Sequence, residues 1–149
     1  MRIAIGSDHA GYELKSALLK YLQQKKVEVY DMGPFNKDSV DYPDYAIQVG
    51  HALQRNVSDL GILVCYTGIG MSMAANKVKG IRAALVQTTE NARLTREHNN
   101  ANVLCLGAKD VTESLAKEIV DVFLSTAFTE GRHTRRVEKV NNIEKNEKR

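Results

Sequence analysis

The sequence predicts an α/β fold: a single doubly wound, three-layer αβα domain on a five-stranded parallel sheet, with one extra helix at its C-terminal end. Three observations predict it. Short apolar runs alternate with amphipathic stretches five times along the chain, the pattern of a parallel sheet covered on both faces. No long linker and no shift of composition interrupts the alternation, so residues 1–149 read as one domain. A length of 149 residues is enough to bury one sizeable core.

The elements follow in order. Residues 2–6 form the first strand. Asp8, a good N-cap residue, precedes a helix over about 10–24, where Leu14, Ala17, Leu18, Tyr21 and Leu22 recur at helical spacing. Residues 27–31 are the second strand, Gly33-Pro34 punctuates it, and 36–43 is a polar loop. A helix spans about 45–54, with Ala46, Val49 and Leu53 on one side. Residues 60–65 are the third strand and 68–77 a short helix. Residues 82–86 are the fourth strand, and 89–98 is a helix that Asn99-Asn100 ends. Residues 103–106 are the fifth strand, followed by Gly107. A helix over about 112–126 has Leu115, Ile119, Val122 and Phe123 as its core stripe. Beyond Gly131 a charged helix runs into a tail expected to fray over 145–149. Its narrow stripe of Val137, Val140 and Ile143 suits packing on a partner subunit, so 131–149 reads as an arm at a subunit interface.

Composition narrows the function. No run approaches the roughly 18 apolar residues of a membrane span. The chain opens directly on a strand pattern, with no signal-peptide pattern before it. Two cysteines 40 residues apart, Cys65 and Cys105, read neither as a disulfide framework nor as a zinc site. A reducing, cytoplasmic setting is expected. A net charge of +3 with mixed signs is too mild to argue for nucleic acid. Neither nucleic acid nor a membrane is an expected partner.

An open parallel sheet binds ligands beyond the carboxyl ends of its strands, where strand order reverses. The common Rossmann- or flavodoxin-like order for five strands, 2-1-3-4-5, sets that point between strands one and three. Ser7-Asp8-His9 follows the first strand and Cys65-Tyr66-Thr67-Gly68 the third. The stretch from Ile62 to Ser72 passes from an apolar run through Thr67-Gly68-Ile69-Gly70 into a helix. Such a turn converges backbone N–H groups on an anion or oxyanion, and a thiol beside a helix N-terminus becomes a better base or nucleophile.

Each candidate also has a plainer use. A free cysteine is often core filler, but the glycine loop after Cys65 favours chemistry. Cys105 has no such loop and reads as core. Asp8 serves equally as an N-cap. His98 at a helix end can simply favour the dipole, and Asn99 can cap that end. His51 lies on a polar helix face. Arg132 and Arg136, at i and i+4, share a face. They fit either a phosphate dianion gripped by two guanidinium forks or a solvated basic face paired with Glu138.

Seven blocks occur together and in order: residues 6–11 (Gly-Ser-Asp-His-Ala-Gly), Asp41-Tyr42-Pro43, Thr67-Gly68-Ile69-Gly70, Ala74-Ala75-Asn76-Lys77, Gly80-Ile81-Arg82-Ala83, Arg96-Glu97-His98-Asn99 and Gly131-Arg132-His133. With them the chain resembles the ribose-5-phosphate isomerase B family over nearly its whole length. That wider family includes allose-6-phosphate isomerase and the two-subunit galactose-6-phosphate isomerase. The resemblance implies isomerisation of ribose 5-phosphate and ribulose 5-phosphate, without metal or cofactor.

In the roles so implied, Cys65 is the base that moves a proton between C1 and C2 through a cis-enediolate. His98 is the acid that opens the furanose ring, with Asn99 beside it on the sugar. Asp8 and His9 orient the substrate. Backbone amides over Tyr66, Thr67, Gly68, Ile69 and Gly70 hold the enediolate oxygens, and Thr67 lines the site. Arg132 and Arg136 take the phosphate, with Lys109 a further contact. The resemblance also implies a homodimer, or a dimer of dimers, with pockets at the interface. Two positions depart from the family pattern. Tyr66 stands where many relatives carry Gly, and Lys109 where relatives often carry Arg. A hexose 6-phosphate isomerase is the near alternative and a non-catalytic phosphate-binding module the remote one. A receiver module would need acidic residues after strands one and three, and this chain offers Asp8 alone and Cys65.

Overall fold

Residues 1–147 are described in a computed structural model. Their elements are β1 (Arg2–Ser7), α1 (Tyr12–Gln24), β2 (Glu28–Asp31), α2 (Tyr42–Gln54), β3 (Leu60–Cys65), α3 (Ile69–Ala75), β4 (Ala83–Leu85), α4 (Thr89–Asn99), β5 (Val103–Gly107), α5 (Glu113–Ser125) and α6 (Arg132–Asn146). The strands form one parallel sheet. No helix among the described residues is long and apolar enough to cross a membrane.

Strand alternation sorts the core into two layers. Leu60, Ile62 and Val64 of β3 join Leu14, Leu18 and Leu22 of α1 and Ile119, Val120 and Phe123 of α5 on one face. Leu63 and Cys65 point the other way, into a layer with Ala46 and Val49 of α2 and Met71 and Ala75 of α3. Each fully buried Leu, Ile or Phe contributes roughly 1.5–3 kcal/mol to folding.

The strand order is β2-β1-β3-β5-β4, not the 2-1-3-4-5 that the common pattern suggests. Two physical reasons favour it. All five residues of β5 are buried, as a strand with neighbours on both sides requires. β4 has only three residues, two half-buried, and Leu85 is 37% exposed, which suits an edge. Crossover hand agrees. α1 and α4 carry the chain one way along the sheet, α2 and α3 the other, and the two pairs lie on opposite faces, as a uniform hand of crossover demands. The neighbouring of β1 and β3, on which the placing of the crevice depends, is observed.

Three local expectations shift. α2 begins at Tyr42, with Pro43 in its first turn, where a missing N–H costs nothing. Asp8 does not cap α1, which starts at Tyr12 with Gly11 as its N-cap residue. Helix α6 continues through Lys145 to Asn146, so the expected fraying starts no earlier than Glu147; residues 148 and 149 lie outside the described residues.

Lys15 fixes the turn after β2. Its ammonium is 1% exposed and donates to Asp31 Oδ1 at 2.8 Å and to the Pro34 carbonyl at 2.5 Å. It lies 5.3 Å from the Tyr12 ring and 5.7 Å from the Phe35 ring. The Gly33 carbonyl then accepts from the amide of Ser7 at the end of β1.

Candidate active site

The residues after β1 are locked onto those after β3. The Asp8 amide donates to the Val64 carbonyl at 3.1 Å. Asp8 is buried, and its Oδ1 accepts from the Gly11 amide at 2.9 Å, so its side chain closes the turn that precedes α1. His9 is exposed, and its Nδ1 accepts from the Val40 amide at 3.2 Å. With Nδ1 an acceptor, a neutral His9 carries its proton on Nε2, a donor available outside that bond.

Cys65 ends β3 with its side chain 4% exposed. The Gly68 amide donates to its sulfur at 3.1 Å, the kind of donor that stabilises charge on a thiolate. That contact depends on backbone shape. Gly68 has φ +77, and a Cβ there would lie 2.5 Å from Leu85 Cδ1 and 2.9 Å from the Leu106 carbonyl carbon. The Ala108 and Lys109 amides donate to the carbonyls of Cys65 and Tyr66 at 2.9 and 3.0 Å. They approach because residue 107 is glycine: a Cβ there would sit 2.6 Å from the Thr67 carbonyl group. The Ile69 amide donates to Thr67 Oγ1 at 3.3 Å, and Gly70 lies in the first turn of α3. Tyr66 is 59% exposed, and Ile69 and Met73 extend its apolar strip along α3.

A second cluster lies on α4 and α6. Asn100, in the left-handed region with φ 46, stops α4 just after His98 and Asn99. His98 is half-buried and stacks on His133 of α6, with ring centroids 4.3 Å apart and planes 12° from parallel. Burial pushes the His133 imidazole below its usual pKa, and the neighbouring His98, Arg132 and Arg136 push the same way. A groove of about 700 Å³ opens here, lined at one end by His98, Asn99, His133 and Arg136 and further along by Val137, Val140 and Ile143. Asp8, His9, Cys65, Thr67 and Arg132 do not line it. Arg132 and Arg136 are both exposed on α6. Lys109 is paired, its Nζ 2.7 Å from Asp110 Oδ1. Its pKa is raised by that contact.

Within one chain, then, the predicted residues form two groups. Asp8, His9, Cys65 and the 66–70 loop gather at the β1 and β3 ends. His98, Asn99 and Arg136 gather at the groove. Cys105 is fully buried, and burial pushes its thiol up, in keeping with its reading as core. Among the described residues no group of three or more His, Cys, Asp or Glu is placed to hold a metal ion.

Sequence reasoning missed the groups that set α4 against α6. Arg96 donates to the carbonyls of Thr126 and Ala101 and to Asn100 Oδ1, and covers the Phe123 ring. The Thr129 amide donates to the Glu97 carbonyl at 3.0 Å. Arg82 joins the Asn100 carbonyl to Asn141 of α6, and the Glu144 carboxylate accepts from the Gly80 amide. His133 had a legible signal: it stands four residues before Val137, on the stripe that continues to Val140.

Comparison with known proteins agrees with this architecture. The profile described as Ribose/Galactose Isomerase matches residues 3–140. The probable ribose-5-phosphate isomerase B of Mycoplasma pneumoniae is 50% identical over 93% of this chain and 91% of its own. The Clostridium thermocellum ribose-5-phosphate isomerase B structure superposes with a TM-score of 0.96 at 48% identity, covering 97% of this chain and 98% of that one. The Mycoplasma genitalium ribose-5-phosphate isomerase B, solved with bound ribulose-5-phosphate, gives 0.93 at 47% identity, over 98% of this chain and 97% of that one. A match this long, at this identity, on the same fold shows that the chain belongs to the ribose/galactose isomerase family.

Proposed function

We propose that the chain interconverts ribose 5-phosphate and ribulose 5-phosphate, with Cys65 as base and His98 as ring-opening acid. The observation that carries this is Cys65 at the carboxyl end of β3, the strand paired with β1, with the Gly68 amide aimed at its sulfur, in a chain 47% identical to an enzyme solved with ribulose-5-phosphate. His98 protonates the ring oxygen of the furanose as the anomeric hydroxyl gives up its own proton, which frees the aldehyde and restores the acid. The Cys65 thiolate takes the C2 proton, amides of the 66–70 loop hold the enediolate oxygens while the hydroxyl proton passes from O2 to O1, and the thiol returns its proton to C1. C1 is reduced as C2 is oxidised within one molecule, so proton transfers alone balance the reaction. Such a carbon acid needs base and oxyanion donors together. Asp8 and His9 orient the sugar, and Asn99 contacts it. Arg136, with Arg132 on the same helix face, takes the phosphate, which fixes the distant carbons against the sulfur. Two free thiols, one serving as base, suit a reducing cytoplasm.

The two groups of residues meet when two copies pair. The Cys65 end of one protomer faces the His98 groove of its partner, and α6 lies between them. The exposed strip of Tyr66, Ile69 and Met73 and the groove's Val140 and Ile143 are the apolar surfaces such a dimer covers. Mixing two inactive variants tests this. Cys65→Ala and His98→Asn each lose turnover of ribose 5-phosphate. After subunit exchange a random mixture regains about a quarter of wild-type activity, because half the dimers carry one intact site of two. No recovery from mixed, dimeric variants would overturn the shared site. Faster turnover of allose 6-phosphate than of ribose 5-phosphate would overturn the substrate.

A further inference from the structure

We infer that His133 is a positioning residue: its imidazole is the plate that holds the His98 ring in one plane, so that the edge of that ring stays aimed into the groove. The inference rests on the reading of His98 as the ring-opening acid.

A histidine in the last turn of a helix has two rotatable side-chain bonds and no fixed ring plane. Here a second imidazole, from another helix, lies 4.3 Å away and 12° from parallel. His133 is only 8% exposed and has little surface to offer a substrate directly. The elements carrying the two rings are fixed to each other independently of them. Arg96 and the Thr129–Glu97 bond tie the end of α4 to the segment entering α6, and Arg82 ties the α4 cap to Asn141. The plate therefore has a rigid mounting, which a positioned acid requires.

Charge and burial keep a proton off the plate. Glu97 and His98 face His133 from α4, and Arg132 and Arg136 from its own helix. The balance of these, with burial, disfavours its cation. Two stacked imidazolium rings would repel. A His133 that stays neutral puts no charge against the face of the His98 ring.

The test compares His133→Phe, which keeps a flat ring, with His133→Leu, which fills similar space without one. His98→Asn serves as the reference. Two readouts are taken: the His98 ring-proton NMR shifts, which sense the ring current of a stacked neighbour, and the separate kcat and KM for ribose 5-phosphate. Expected for His133→Leu are displaced His98 resonances and a kcat lower by about 10- to 100-fold with little change in KM, the scale of a misplaced catalytic group. His133→Phe restores the resonances and much of the turnover. Unmoved His98 resonances in His133→Leu would overturn the plate. So would a raised KM at unchanged kcat, which would make His133 a phosphate ligand, and so would equal failure of Phe and Leu. Full turnover by His98→Asn would instead overturn the acid assignment, while the NMR comparison still judged the stack.

Discussion

The Gly68 amide reaches the Cys65 sulfur at 3.1 Å only because Gly68 occupies the left-handed region with Leu85 and the Leu106 backbone closed around it. An alanine at 68 meets both the backbone preference and the contact with Leu106. Gly68→Ala is expected to lose about 1–3 kcal/mol of stability, read from denaturant midpoints, and to lower turnover by withdrawing the amide from the sulfur. Unchanged stability and rate would show that the loop can take another path.

The two thiols are expected to behave oppositely. Cys65→Ala should abolish isomerisation, with a phosphorylated sugar acid still binding by calorimetry. Substantial residual turnover would move the base elsewhere.

Cys105 lies wholly inside the α2/α3 layer. Cys105→Ala should keep its turnover and lose about 1 kcal/mol of stability. Loss of catalysis from a folded variant would mean that the wrong sulfur carries the chemistry.

Arg136 is exposed at the groove, five positions from the Asn141 that Arg82 holds. In its proposed role Arg136 holds the phosphate before and during the reaction, so its removal should act on binding. Arg136→Ala should raise KM by about 10- to 100-fold, the equivalent of roughly 1.5–3 kcal/mol for a charged hydrogen bond, while kcat changes far less. A kcat effect alone would argue against a phosphate role.

Acid should weaken the fold through His133. Its folded pKa lies below the ordinary 6.5, so the unfolded chain binds the proton more readily. The stabilisation is present above 6.5 and is lost as pH falls through that value toward the lower, folded one. Urea midpoints followed from neutral pH down through this range should fall less steeply in His133→Phe than in the wild type. Parallel curves would show that other groups carry the acid sensitivity.

Much of this was legible in the chain. Alternating apolar runs gave every strand and helix, because burial on both faces leaves a pattern in each segment separately. The order of β4 and β5 was not legible. It depends on the direction of each crossover and on how short β4 is, and no single segment records those. The β1–β3 crevice could be read because the residues after both strands are polar in the sequence itself. The groove could not, since it exists only where Arg96, Arg82 and Glu144 bring α6 against α4 and the start of β4. His98 and Asn99 were therefore recognisable as residues, and His133 as part of the α6 stripe, while the stacking of the two rings was not.

The enclosed ammonium of Lys15 bears on how the protein responds to chemical labelling. Acetylating and carbamylating reagents must touch a side-chain nitrogen, and this one is covered by two rings and held by a carboxylate and a carbonyl. Light acetylation of the intact protein would mark exposed amines such as Lys37 and Lys109 and spare position 15. The crossing of α1 over the end of β2 would then outlast the loss of charge elsewhere on the surface.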